Sequence, residues 1–109
     1  MSVYIKNPIL HITTVKGFVG IAEYDGKLET LQALVGGYIE PCAPVELREK
    51  GIELVANEEG LFQDREPNEN LYPFFFVGDV VAIGVDGEDF APLTGEQIQF
   101  MLEWLEVLN

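Results

Sequence analysis

Between Phe74 and Val85 the chain carries one charge, Asp79, and is apolar in both registers a β-strand can present. Val77, Val81, Ile83 and Val85 fall on one side, and Phe76, Val80 and Ala82 share the other with Gly78 and Gly84. A strand apolar on both faces has to be covered on both, which places it inside a sheet. The rest of the chain must supply its neighbours and its cover. With 109 residues, 48% of them apolar, there is material for one core and not two, so residues 1–109 are expected to form a single domain.

Extended segments are expected at Val3–Ile5, Ile9–Val15 and Gly17–Tyr24, with a break at Asn7–Pro8 because proline lacks an N–H and pushes its predecessor out of the helical region. Asp25–Gly26 marks a turn. Leu28, Leu31, Leu34 and Val35 share a helical face over residues 27–35, and Gly36–Gly37 supplies a left-handed stop. A strand at Tyr38–Ala43 and a helical turn or loop over Val45–Lys50 follow. Ile52–Ala56 and Leu61–Gln63 read as a hairpin around Asn57–Gly60, and Asp64–Pro73 as an exposed loop. After a turn at Asp86–Asp89, Thr94 and Gln97 form a capping box for a helix from Gly95 to Leu108. Its polar stripe is narrow, so part of its apolar breadth meets a second subunit, or else a long loop or the N-terminal segment covers Trp104. The fold expected is α+β: a mostly antiparallel sheet, a short helix after the N-terminal strands, and a C-terminal helix packed on the sheet. A homodimer is expected from the breadth of that last helix.

Nineteen acids face six bases, and no base follows Arg65. A net charge of −13 opposes binding to nucleic acid or to anionic membrane, since both need Lys and Arg to displace counterions. No apolar run approaches the ~20 residues that span a bilayer, and the N-terminus lacks a basic region ahead of a long apolar stretch. A cytoplasmic location is the expectation. Cys42 and His11 are each the sole residue of their type and sit among apolar neighbours, where packed roles suit them better than catalytic ones. The Asp86–Asp89 turn lacks calcium-loop spacing. Val35–Gly36–Gly37 precedes a strand and so has the wrong geometry for phosphate. No catalytic residue, metal ligand or cofactor is expected.

Leu28-Glu29-Thr30-Leu31-Gln32-Ala33-Leu34-Val35-Gly36-Gly37-Tyr38-Ile39-Glu40 resembles the opening signature of a family of small phage, prophage and plasmid proteins catalogued only as a domain of unknown function. Asn57-Glu58-Glu59-Gly60, Pro67-Asn68, Phe76-Val77-Gly78-Asp79 and Leu93-Thr94 with Glu96-Gln97 follow in the family's order. The resemblance covers about residues 26–105. It implies a compact α+β fold and a mobile-element origin, and it implies no activity.

Two non-enzymatic readings stand. In the first, the protein sequesters a small nucleotide-type ligand from a host defence system. Asn57 and Asn68 would read a base or ribose edge, Tyr38 or Tyr72 would stack, Arg65 would meet a phosphate, and Glu58 and Glu59 would complete the turn. In the second, an acidic face occupies the basic groove of a host protein, in its extreme form as a DNA mimic.

Overall fold

The computed structural model describes residues 5–60 and 65–108. Six strands form one antiparallel sheet: β1 (Pro8–Ile12), β2 (Val19–Glu23), β3 (Ile39–Pro41), β4 (Ile52–Asn57), β5 (Val80–Asp86) and β6 (Asp89–Ala91). Among the described residues three α-helices accompany them: α1 (Leu28–Val35), α2 (Val45–Arg48) and α3 (Gly95–Leu108). The strand order is β2-β1-β5-β4-β3, with β6 hairpinned onto the end of β5. The expected α+β architecture is present.

The doubly apolar stretch is interior, as its pattern requires. Val80 through Gly84 are buried, with β1 on one side and β4 on the other. Register fixes which residues share a face. Leu10 and Leu54 both stand opposite Ala82, in a row facing α2 and α3, where Leu47, Met101 and Leu105 close the larger core. His11 and Val55 stand opposite Val81 in the adjacent row, which faces α1 and its buried Leu31 and Val35. One sheet thus separates two apolar clusters.

α1 ends as read: Gly36 is left-handed at φ 81°, and its N–H and that of Gly37 both reach Gln32 O. At the start of α1, Asp25 accepts from the Thr30 hydroxyl (2.6 Å) and the Lys27 N–H (3.0 Å), bonds that hold its carboxyl below the usual range. The capping box of α3 also forms, with Gln97 N donating to Thr94 Oγ1 (3.1 Å) and Thr94 N to Gln97 Oε1 (2.9 Å). The broad apolar surface of α3 is covered largely within the chain. Phe74 lies on Trp104 with ring centroids 5.6 Å apart, and the Lys50 ammonium sits over Phe100. Leu102 and Val107 stay exposed.

Several expectations need correction. Phe74–Asp79 is not strand; β5 begins only at Val80, because Pro73 and a left-handed Gly78 hold the preceding aromatics in a loop. β1 stops at Ile12, where Thr13 turns the chain towards Phe18. Asp64–Pro73 is not simply exposed: Asn68, Asn70 and Leu71 are buried. Asp86–Asp89 is a turn, but its far side continues into β6, too short to show a pattern. Val3, Tyr4 and the Leu61–Gln63 arm of the expected hairpin lie outside the described residues. Along β4 itself the neighbours are β3 and β5.

Close packing at the β5–β6 hairpin gives a stability prediction. A Cβ on Gly84 would stand 2.7 Å from the Pro92 carbonyl oxygen and 3.0 Å from that of Ala91, both backbone atoms with little room to move. Gly84→Ala is expected to lower the unfolding free energy by about 1–3 kcal/mol, measured by urea denaturation.

Candidate functional site

Residues 65–79 fold back on themselves as a long two-legged loop. Asn68 N donates to Phe76 O (2.8 Å), Gly78 N to Glu66 O (2.7 Å), and Pro67 bridges Val77. The tip holds a 3₁₀ turn at Glu69–Leu71 and a cis Tyr72–Pro73 bond. Two buried asparagines fix its position. Asn68 Nδ2 donates to Ile12 O and Gly78 O, each at 3.0 Å, and its Oδ1 accepts from Asn70 N (3.2 Å). Asn70 Nδ2 donates to Thr13 O (2.8 Å) and Val15 O (3.0 Å), while its Oδ1 accepts from Gly17 N (2.9 Å). Asn70 therefore pins the β1–β2 connection, and Lys16 with it, against the aromatic tip.

The result is a cleft of about 360 Å³ between the tip and the end of α3, lined by Lys16, Pro67, Asn68, Glu69, Tyr72, Phe74–Phe76 and Leu108. Its volume lies at the lower end of small-molecule sites. Tyr72 and Phe75 are 73% and 72% exposed, a large apolar area to leave in water. On the other side of Lys16 a second hollow of about 400 Å³ follows α3 past Val19, Leu102, Leu105 and Glu106. The two hollows share Lys16 and form one surface in which aromatic and aliphatic groups are edged by carboxylates.

The seven residues singled out in the sequence divide among different places. Asn68 and Tyr72 line the aromatic cleft. Asn57 and Glu58 line a hollow of about 180 Å³ on the far side of Phe75 and Phe76, with Glu40 and Cys42. Arg65 lies elsewhere, in a hollow with Thr14, Gly36 and Asp79, where its Nη2 donates to Gly36 O (3.2 Å). There it meets the negative end of α1, whose last turn has no basic residue of its own. Tyr38 is exposed and lines none of these hollows, although its carbonyl accepts from Glu58 N (2.9 Å). Glu59 is exposed, and its N–H donates to Asn57 Oδ1 (2.8 Å). The amides of Asn57 and Asn68 are buried and bonded to the chain itself. The base beside Tyr72 is Lys16, not Arg65.

Lys16, Asn70 and Phe74–Phe76 were not among the expected site residues. A signal existed for the last three. Pro73 cannot join an interior ladder, so the run behind it had reason to be loop. Lys16 offered none, because the Asn70 bonds that bring it there span more than fifty residues.

His11 and Cys42 do not meet. His11, on the α1 side of the sheet, bonds Asp79 Oδ2 through Nε2 at 2.7 Å, and Asp79 Oδ1 accepts from Thr14 N. Cys42 packs against the larger core, and its Sγ faces Leu54 O (3.4 Å). Burial, with Glu53 and Glu40 nearby, pushes the thiol up to about 12. The thiol is therefore a poor nucleophile. At pH 8 a disulfide reagent is expected to modify folded protein on the order of a hundredfold or more slowly than unfolded chain. Because the native state holds this proton longer, its contribution to stability falls as pH rises from 9.0 towards 12.

A family model matches residues 5–106, nearly the whole chain and including the first two strands. The chain belongs to the family described as Domain of unknown function (DUF3846). Family membership therefore spans both helix-covered faces of the sheet and the aromatic cleft. No curated protein and no solved structure matches the chain. No helix among the described residues is long and apolar enough to cross a membrane.

Proposed function

We propose that the protein acts by binding, not turnover, and that its partner is a protein segment carrying an apolar anchor flanked by basic residues. The observation behind this reading is the pair of exposed rings, Tyr72 and Phe75, beside a hollow that continues along α3. Aromatic side chains over a pocket are the usual energetic centre of a protein interface. Carboxylates at the margin, Glu69 and Glu106, and a net charge of −13 favour a basic partner and steer it inward. A contact made through carboxylates alone, as in a DNA mimic, leaves these rings without a role. In the mobile-element setting that the resemblance implies, the partner is a host protein, and occupying its basic surface would inhibit it.

Lys16 favours a second reading. A single cation among four aromatic rings suits one small planar, anionic molecule of the nucleotide type, stacked on Tyr72 or Phe75. Native mass spectrometry of protein purified from its host separates the two. A co-purifying metabolite lost on Lys16→Ala supports the small ligand. A complex with a basic polypeptide that dissociates as salt rises supports the protein partner. Failure to find either would remove the binding reading.

A further inference from the structure

We propose that the outer edge of β2 is a self-association surface, through which two copies pair antiparallel about Ile21 into one continuous sheet. This inference does not rest on the aromatic cleft, although Val19 and Lys16 also line the hollow that continues from it along α3. Among the described residues β2 pairs only with β1, and no described strand lies on its other side. The phase of its hydrogen bonds follows from the ladder's two ends. Tyr24 N donates to Asn7 O, and Thr13 N to Phe18 O. With Leu10 opposite Ile21, the pairs Asn7–Tyr24, Ile9–Ala22, His11–Gly20 and Thr13–Phe18 are the ones that exchange bonds with β1. The N–H and C=O groups of Val19, Ile21 and Glu23 consequently point away from the sheet.

That outward set is self-complementary. Two β2 edges related by a two-fold axis at Ile21 place Ile21 against Ile21 and each Val19 against the other copy's Glu23. Each of these facing pairs can exchange two backbone bonds. Ile21, 49% exposed in the single chain, gains its own counterpart across the axis. The strand carries less of the usual protection than the opposite edge. It has five residues, no proline and no lysine, and its one charge is Glu23 at the end. The opposite edge is protected: β3 has three residues, contains Glu40 and ends on Pro41.

Charge selects a second copy as the occupant. Most of this molecule repels itself, with seventeen of the nineteen acids (all but Glu23 and Asp25) lying beyond residue 27 against three bases, Arg48, Lys50 and Arg65. Residues 5–27 carry Lys6, Lys16 and Lys27 against Glu23 and Asp25, so the β1–β2 hairpin is where two copies approach at least electrostatic cost. Pairing about Ile21 also brings the Lys16 end of one strand towards the Asp25 end of the other.

Sedimentation of the full chain at micromolar concentration is expected to give twice the 12.2 kDa mass, with the dimer strengthening as salt screens the net charge. Ile21→Lys sets like charges face to face across the axis. Ile21→Pro removes an outward N–H without touching the β1 ladder. Both are expected to yield monomers, whereas Val107→Glu on α3 leaves the dimer intact. On unmodified protein, amide exchange at Val19, Ile21 and Glu23 is expected to slow with protein concentration, while Gly20 and Ala22 stay protected at every concentration. A monomeric wild type, a dimer that survives both Ile21 changes, or one lost to Val107→Glu alone would overturn the proposal. So would a monomer whose β2 edge becomes protected only when a foreign protein binds.

Discussion

Asn68→Ala is expected to lower the unfolding free energy by about 2–4 kcal/mol, because the change removes three buried side-chain-to-backbone hydrogen bonds at once. The side chain is 3% exposed. Its amide holds the Ile12 and Gly78 carbonyls together, and its oxygen caps the turn through Asn70 N. Alanine fills none of these roles. For a domain of this size the melting temperature should fall by more than about 8 °C. Asn68→Asp is informative beside it: the acceptor remains, the donor is lost, and an added charge is buried, so the loss should be at least as large. Thermal denaturation followed by circular dichroism reads both. Little change in either variant would mean that the asparagine serves something other than the loop's position.

Joint replacement of Tyr72 and Phe75 by Ala is expected to have the opposite profile. Both rings are largely in water, so the folded state loses little by their removal, within about 1 kcal/mol. Binding should suffer far more. Truncating an aromatic anchor at the centre of an interface costs about 2 kcal/mol or more, which is roughly thirtyfold in affinity. Lys16→Ala should change affinity less and should alter its salt dependence if the ligand is an anion. A double variant that binds as tightly as wild type, with the fold retained, would move the contact surface away from the cleft.

The sheet and its helices were legible because they depend on local pattern. The doubly apolar Val80–Gly84 core of β5, the Gly36 stop and the Thr94–Gln97 box are each written in adjacent residues, and each is found where the pattern puts it. The candidate site was less legible. Asn68 and Tyr72 were rightly placed on one loop, but that loop is held by bonds to Ile12 and Thr13, far away in sequence. Turn-forming asparagines look alike whether their amides face solvent or close a core, and here Asn57, Asn68 and Asn70 are buried. Arg65 and Tyr72 are only seven residues apart, yet one lies at the base of the loop and the other at its tip, in separate hollows. The breadth of α3 pointed to a second subunit or a covering loop, and Phe74 on Trp104 is that loop.

If a basic partner docks in the aromatic cleft, the ring at position 75 lies within it. A photo-reactive phenylalanine analogue at position 75, in protein expressed in its host cell, tests that docking most directly, with the same probe at the exposed Val45 on α2 as reference. One covalent adduct is expected from position 75, with a polypeptide rich in Lys and Arg, diminished at high salt and absent from position 45. An adduct at position 45 with none at 75, or an acidic polypeptide captured at 75, would contradict it.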